Sequence, residues 1–146
     1  MAEQTSHAII LWDGYCYVHE NITADHLISL KVKHPQAQII VHPECGIQVR
    51  GMADFIGGTA QMSRHVANSP QKEFIVGTEI NFAYRLRKDN PDKKFYPVNT
   101  RCEGMNEITL EKLETALERM EYKVHIPETI GKEAKVALEK MLRVAV

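Results

Sequence analysis

Five side chains capable of ligand or acid–base chemistry occupy two short stretches and one later loop. Cys16 and His19 are separated by two residues, His42 and Glu44 follow in a second stretch, and Cys102 stands far downstream. Thiols and imidazoles bind transition metals, and an imidazole or a carboxylate can transfer protons. Four such groups at the ends of two apolar runs indicate a site rather than part of a core.

The spacing within each stretch brings the groups together. Cys16 and His19 can face one pocket from a single strand-to-loop turn. His42 and Glu44 lie two residues apart, so in an extended chain their side chains point to the same side. If both stretches end parallel strands, we expect these four groups at the carboxyl edge of a sheet, where open α/β proteins place their ligands.

Each of these residues also has an ordinary structural interpretation. Cysteines in apolar surroundings are commonly buried and inert, and we expect this of Cys45. Gly14 and the polar residues 101–106 place Cys16 and Cys102 on loops instead, which favours a functional role. His42 taken alone is typical of a hydrogen-bonded histidine at a strand end.

A Gly-Gly-Thr sequence at residues 57–59 has two interpretations that the sequence leaves open. It is typical of a tight turn followed by a helix cap. It equally suits an anion-binding loop, because the start of a helix presents unpaired backbone N–H groups beside the Thr59 hydroxyl.

Composition limits the class of protein. With 146 residues the chain has room for about one domain with a sizeable core. A formal net charge of −1 argues against binding to nucleic acid or to a membrane surface. No stretch has the length of a membrane span and no signal-peptide pattern opens the chain, so we expect a cytoplasmic protein. Three cysteines are an odd number, which argues against a full disulfide framework. The count instead favours metal ligation, catalysis or burial.

The elements alternate between strand and helix. Apolar runs without polar alternation are typical of buried parallel strands, so the sequence predicts an α/β fold with helices on both faces of a parallel sheet. Strands are predicted at 8–12, 38–41, 74–76 and 95–98. Helices are predicted at 24–33 capped by Thr23, at 47–55, at 59–66 and, capped by Thr78, up to residue 88.

The pattern changes after Cys102. An amphipathic helix is predicted to begin near Thr109, followed by a short extended piece at 123–126 and a second helix at 128–144. Because a buried strand at 8–12 requires parallel neighbours, we expect this sequence to be the C-terminal part of something longer.

Taken in order, the motifs resemble those of quinolinate synthase, the iron–sulfur enzyme of NAD biosynthesis. The resemblance covers essentially the whole chain from about Ala8. The matching segments are WDGYCYVHE from Trp12, HPEC from His42, MADFIGGT from Met52, IVGTE from Ile75, the Cys102 and Met105 pair, and EKMLRVA from Glu139.

The resemblance implies three similar α/β units, each a three-layer αβα sandwich, around a pseudo-threefold axis with the active site where they meet. Residues 1–16 would end one unit, 17–101 would form a complete unit, and 102–146 would hold a cluster-ligand loop and closing helices. It also implies condensation of iminoaspartate with dihydroxyacetone phosphate to quinolinate, with L-aspartate oxidase as the neighbouring enzyme of the pathway.

The resemblance further implies a [4Fe–4S] cluster held by three cysteines, with one iron left open as a Lewis acid. Cys16 and Cys102 match two of these ligands, whereas Cys45 matches none. By the same comparison His19 and His42 would bind substrate carboxylate or phosphate groups, and Thr59 would bind substrate through its hydroxyl and amide. His19 and Glu44 would be the catalytic pair, with Glu44 moving protons.

Two departures from the family pattern bear on activity. Gly58 stands where the family usually has serine, so one hydroxyl donor is missing. The third cysteine ligand and the first unit are also missing, because nothing before residue 8 resembles them. We therefore expect this chain to be inactive alone, and to need the missing half or a second copy. The alternative is a non-catalytic α/β module that binds a small dicarboxylate or phosphate.

Overall fold

The computed structural model describes Ser6, residues 8–10 and residues 12–144, with the backbone alone for Val144. The chain divides into two compact units, the first ending at Glu103 and the second beginning at Gly104. The three-part division at residues 16 and 101 that the family resemblance implies stays a prediction.

A four-stranded parallel sheet forms the centre of the first unit. The spatial order is β2-β1-β3-β4. In the register, Ile40 of the central strand lies opposite Phe55 on one side and Val76 on the other. The strands are β1 at Gln38–Val41, β2 at Phe55–Ile56, β3 at Glu73–Gly77 and β4 at Lys94–Pro97.

Helices connect the strands and begin where the sequence supplies a cap. Thr23 accepts a hydrogen bond from the backbone N–H of His26, as expected for an N-cap. The helices of this unit are α1 at Tyr17–Glu20, α2 at Ala24–Lys33, α3 at Ile47–Gly51, α4 at Thr59–Asn68 and α5 at Ile80–Asp89, and α6 at Glu103–Asn106 spans the boundary between the units.

Two apolar clusters cover the two faces of the sheet. Alternate strand residues point to opposite faces, and Ile39 and Ile75 accordingly lie in one cluster whereas Ile40 and Val76 lie in the other. Residues of α2 and α3 complete the first cluster, and residues of α4 and α5 complete the second. The predicted α/β fold with a three-layer αβα arrangement is confirmed.

Three local predictions are wrong. Residues 8–10 and Trp12 form no strand, and Leu11 lies outside the described residues. Ile10 and Trp12 are almost fully exposed. Since a strand exists only through pairing, the apolar sequence alone does not make one here.

The predicted helix at 47–55 ends at Gly51, because Asp54 joins the chain to β1. Its carboxylate accepts a hydrogen bond from the N–H of Ile39 at 2.7 Å, and its own N–H donates to the carbonyl of Ile39 at 2.9 Å. β2 therefore starts directly after it. The third wrong prediction concerns the N-cap of α5, which is Glu79 and not Thr78. The Glu79 side chain accepts a hydrogen bond from the N–H of Asn81 at 2.8 Å.

The second unit contains two amphipathic helices, α7 at Leu110–Arg119 and α8 at Glu128–Val144. Thr109 caps α7 by accepting from the N–H of Lys112, as predicted. Residues 120–127 join the helices without regular secondary structure. Both helices carry large apolar side chains that are at least half exposed, including Leu117, Leu138 and Leu142.

Within the part of the chain that the structure describes, no helix combines the length and apolar character needed to cross a membrane.

Candidate functional site

The carboxyl edge of the sheet is the place where the chemically competent residues meet. The chain leaves β1 towards β2 on one side, whereas β3 lies on the other side of β1. Ligands of open α/β sheets bind in the crevice that such a reversal of strand order creates. His42 follows β1 directly, and Thr78 follows β3 directly.

His19 is the buried centre of this edge. It lies on α1 with 9% of its surface exposed. Its Nδ1 lies 3.1 Å from Oε2 of Glu44, and its Nε2 lies 2.9 Å from Oγ1 of Thr78. A carboxylate only accepts hydrogen bonds, so Nδ1 donates to Glu44 and Nε2 accepts from the Thr78 hydroxyl. Contacts at both nitrogens fix the orientation of the ring.

His42 stacks on His19 with ring centroids 4.1 Å apart and planes 8° from parallel. Its Nδ1 accepts a hydrogen bond from the backbone N–H of Glu44 at 3.3 Å and lies 3.7 Å from the Glu44 carboxylate. Burial, together with the nearby His19, lowers the pKa of His42, and Glu44 opposes this in part. The neutral imidazole is therefore favoured.

Glu44 reaches the two histidines from a turn rather than from extended chain. The N–H of Cys45 donates to the carbonyl of His42 at 3.1 Å, which closes the turn. The predicted extended geometry of residues 42–44 is wrong for this reason. The side chains of His42 and Glu44 nevertheless meet, because the turn is tight and Glu44 is folded back towards the His42 ring.

Thr78 is the residue of this group that the sequence analysis missed. The sequence predicts that Thr78 caps a helix, whereas in the structure its hydroxyl bonds to His19 and its surface is 2% exposed. The signal was present in the sequence: Thr78 is the first polar residue after an apolar strand, the same position that singled out His42 after β1.

Cys16 lies at the N-terminal end of α1, where its side chain makes no capping hydrogen bond. Donor atoms of Cys16, His19 and Glu44 lie within 4.8 Å of one another. Cys102, which follows β4, lies at the same edge: its Sγ is 3.7 Å from the hydroxyl of Tyr17, the residue next to Cys16. Both thiols are partly buried.

Cys45 differs from the other two cysteines. It is 1% exposed, its Sγ contacts the carbonyl oxygen of Gly77 at 3.6 Å, and burial raises its thiol pKa to about 11. A protonated, buried thiol is a poor metal ligand. The expectation that Cys45 is buried is confirmed.

Thr59 begins α4 directly after Gly57 and Gly58 and is exposed. The N–H of Gly57 donates to the carbonyl of Val41 at 3.1 Å, which holds this loop beside the end of β1. Thr59 therefore shares the carboxyl edge with the histidines, although no hydrogen bond joins its side chain to theirs within the described residues.

An open cleft of about 560 Å³ adjoins the group. It is lined by Cys16 and Glu44 of this group and by Trp12, Gly14 and Tyr15. The site thus combines a buried imidazole, a carboxylate, a thiol and access from solvent.

Comparison with known proteins gives a consistent result along the chain. The family model described as quinolinate synthetase A protein matches residues 1–143. A quinolinate synthase of Dehalococcoides mccartyi strain CBDB1 is 46% identical over 97% of this chain and 48% of its own length. One from Thermodesulfovibrio yellowstonii is 43% identical over 92% of this chain and 45% of its own length.

An archaeal relative, quinolinate synthase 2 of Methanosarcina acetivorans, is 41% identical over 97% of this chain and 46% of its own length. The chain therefore spans about half the length of the curated relatives it matches. The identity extends over both units, so it covers the sheet, its carboxyl edge and the C-terminal helices. The chain belongs to the quinolinate synthase family.

Proposed function

We propose that this chain forms the C-terminal half of a cytoplasmic quinolinate synthase that condenses iminoaspartate with dihydroxyacetone phosphate. Family membership supports the proposal, and one observation carries it: His19 is held between Glu44 and Thr78 at the crevice between β1 and β3. A buried imidazole bonded to a solvent-accessible carboxylate beside an open cleft is suited to moving protons on a small anionic substrate.

Glu44 is the proton-transferring group in this proposal. Its side chain is 56% exposed, so it reaches substrate in the cleft while one oxygen stays bonded to His19. His19 is the second catalytic residue. Because both of its nitrogens are engaged, it acts by orienting Glu44 and by stabilising the carboxylate form of Glu44 through the hydrogen bond from Nδ1–H.

His42 is the better placed of the two histidines to bind a substrate carboxylate or phosphate. Its Nδ1 accepts from the N–H of Glu44, so in the neutral ring Nε2 carries the proton. Among the described residues Nε2 has no hydrogen-bond partner, and it is therefore available to donate to an anion. Both nitrogens of His19 are hydrogen-bonded within the protein, so His19 contributes to substrate binding indirectly, by holding Glu44.

Thr59 supplies a second anion-binding position. It opens a helix of ten residues at the same edge, where backbone N–H groups and the partial positive charge of the helix end favour an anion. Its hydroxyl is exposed and adds one donor. Gly58 beside it contributes only backbone.

Cys16 and Cys102 are the residues of this chain that fit an iron–sulfur cluster. Both thiols are partly buried and lie at one edge of the unit, which suits ligands of a single group. A third thiolate comes, in this proposal, from the half of the family's length that this chain does not span, because Cys45 is buried. A cluster held in part by Cys16 and Cys102 would supply Lewis-acid chemistry at this edge.

A chimera tests the function directly. The C-terminal half of the Dehalococcoides mccartyi enzyme is replaced by this chain, the product is reconstituted with iron and sulfide without oxygen, and iminoaspartate is supplied by L-aspartate oxidase. We expect quinolinate formation by the chimera and none by the unfused chain. In the chimera, Glu44→Gln should lower kcat by about 100-fold or more, as expected for a general acid–base residue.

Matched variants separate the site from general damage. Glu121→Gln and His125→Gln change exposed residues of the same types in the second unit and should leave kcat within about twofold. A folded, cluster-loaded chimera without turnover would contradict the proposal. If that chimera still bound a dicarboxylate such as malate, the non-catalytic module would be the correct alternative.

A further inference from the structure

We propose that Tyr17 is a positioning residue for the iron–sulfur cluster and that it acts through Cys102. The hydroxyl oxygen of Tyr17 lies 3.7 Å from the Cys102 Sγ, which is within hydrogen-bonding range for sulfur. The inference rests on the proposed function, because it takes Cys102 as a cluster ligand. It gives a role to a side chain that the ligand set itself does not include.

The direction of this hydrogen bond follows from the chemistry of a ligand. A free thiol and a tyrosine hydroxyl can each donate or accept, so in the chain alone either group can be the donor. A cysteine that binds iron does so as a thiolate and carries no proton. Once Cys102 is a ligand, Tyr17 is therefore the donor and the sulfur of Cys102 is the acceptor.

The fold holds the Tyr17 side of the contact in place. Tyr17 is the first residue of α1, and its carbonyl accepts a hydrogen bond from the N–H of Asn21 at 3.1 Å. The next two residues, Val18 and His19, are buried and anchor the helix on the first unit. The position from which the Tyr17 ring projects is thus fixed by the core.

The Cys102 side is anchored in the same way, by backbone hydrogen bonds just after β4. The N–H of Val98 donates to the carbonyl of Val76 at 3.1 Å. The carbonyl of Thr100 accepts from the N–H of Ile80 at 2.9 Å, which ties this loop to the start of α5. Two anchored segments therefore meet at the contact, 85 positions apart along the chain.

Tyr17 also directly follows Cys16, the other proposed ligand of this chain. One short segment thus supplies a ligand through Cys16 and a hydrogen bond to the second ligand through Tyr17. The arrangement fixes the two thiols relative to each other, because a displacement of α1 would disturb both contacts together.

A hydroxyl that donates to a ligand sulfur changes the electronic properties of the site as well as its geometry. The donor withdraws electron density from the thiolate, and it stabilises the additional negative charge that reduction brings. Hydrogen bonds to the sulfurs are among the factors that set the reduction potential of an iron–sulfur centre. Tyr17 therefore raises this potential.

The first test is a redox titration of the cluster-loaded chimera, followed by electron paramagnetic resonance. Tyr17→Phe keeps the half-exposed ring and removes only the hydroxyl. It should shift the reduction equilibrium about tenfold towards the oxidised cluster, equivalent to about 59 mV for one electron. Tyr84→Phe, at an exposed position on α5, is the control and should leave the potential unchanged. A tyrosine that only packs against the loop would behave like this control.

The second test needs no cluster and uses the unfused chain. A double-mutant cycle of Tyr17→Phe and Cys102→Ala in urea denaturation isolates the interaction between the two side chains. The combined effect on the unfolding equilibrium constant should differ from the product of the single effects by about threefold. The same cycle with Tyr84→Phe in place of Tyr17→Phe should show no such difference.

The outcomes separate this inference from the proposed function. A loaded chimera that forms quinolinate but keeps its potential in Tyr17→Phe would overturn the inference and leave the function standing. Additive effects in the cycle of Tyr17 and Cys102 would overturn it as well. A chimera that loads no cluster would overturn the assignment of Cys102 as a ligand, and the inference with it.

Discussion

At the scale of single residues, His19 shows how one side chain organises an entire edge of the sheet. It contacts Glu44, Thr78 and His42, which come from the chain after two different strands. Since the ring is buried, each of these contacts replaces a hydrogen bond or a surface that water would otherwise satisfy. The loops that carry the proposed chemistry are thereby held to one another.

Removal of the Thr78 hydroxyl should destabilise the fold measurably. Thr78→Val keeps the shape of the side chain but leaves Nε2 of His19 buried without its partner, at a cost of about 1–3 kcal/mol in the free energy of unfolding. Thr78→Ser, which keeps the hydroxyl, should recover most of this loss. Urea denaturation of the three proteins measures it, and equal stability of the valine and wild-type proteins would contradict the assigned hydrogen bond.

A serine at position 58 should restore a donor that the chain lacks. A Cβ added to Gly58 meets only the Gln61 side-chain oxygen, at 3.8 Å, so Gly58→Ser fits without a clash. In the chimera we expect KM for dihydroxyacetone phosphate to fall by about threefold to tenfold, the equivalent of one additional hydrogen bond. Gly57→Ser is the contrasting change, because its Cβ would lie 2.7 Å from the Phe55 ring and should impair folding.

At the scale of helices and strands, the packing of α4 on the sheet is sensitive to pH through His65. Its ring stacks on Phe55 at 4.0 Å, and its Nε2 lies 3.0 Å from Oε1 of Gln38. Burial, with a smaller contribution from Lys93, lowers the pKa of His65. The folded chain therefore binds fewer protons here than the unfolded chain does.

It follows that the free energy of unfolding should fall as pH is lowered through about 6.5, the ordinary histidine pKa, and level off below the lowered folded-state pKa. His42, whose pKa is also lowered, contributes with the same sign. His65→Gln should flatten the dependence between pH 7 and 5 in urea denaturation. A slope unchanged from that of the wild-type protein would show that His65 is not the group responsible.

The strands that could be predicted are those with continuous apolar sequence, because burial on both faces of a parallel sheet leaves that pattern. β2 was not predictable because it has only two residues. It is defined by its pairing with β1, beside the hydrogen bond between Asp54 and Ile39, rather than by its own composition. The N-cap of α5 was misplaced by one residue because helix propensity does not show where a strand stops. In the structure β3 stays paired with β1 as far as Gly77, which lies opposite Val41. A Cβ added to Gly77 would lie 2.8 Å from the Val41 side chain, so the two strands are closely packed there.

The candidate site was predictable to the same extent. The spacing of Cys16, His19, His42 and Glu44 indicated a shared site, and all four meet at one edge. Their partner Thr78 was not predicted, because a threonine before a helix has a common alternative use as a cap. Pairing between distant parts of the chain is a property of the folded sheet, which local patterns do not encode.

At the scale of the whole molecule, the C-terminal helices carry several large apolar side chains that are exposed. Leu110 and Leu117 of α7 are 81% and 68% exposed, and Met141 and Leu142 of α8 are 58% and 65% exposed. Apolar patches of more than a few hundred Å² commonly mark association surfaces. The isolated chain should therefore form dimers or larger species in solution.

Sedimentation velocity over a range of concentrations measures this association. The double variant Leu117→Glu and Leu142→Glu should shift the chain towards monomer without altering the sheet. Lys88→Glu, at an exposed polar position on α5, is the control and should leave the distribution unchanged. A wild-type chain that sediments as a monomer at all concentrations would contradict the prediction.

The contact between Tyr17 and Cys102 joins the two ends of the α/β unit, 85 positions apart along the chain. Any group bound by Cys16 and Cys102 together would close almost the entire unit into a loop. Cross-linking a loop of that length lowers the entropy of the unfolded chain by the equivalent of about 4–5 kcal/mol. A cluster at these two thiols would thus stabilise the folded unit in addition to its chemical role. Its loss would lower the stability of the whole sheet rather than of the site alone.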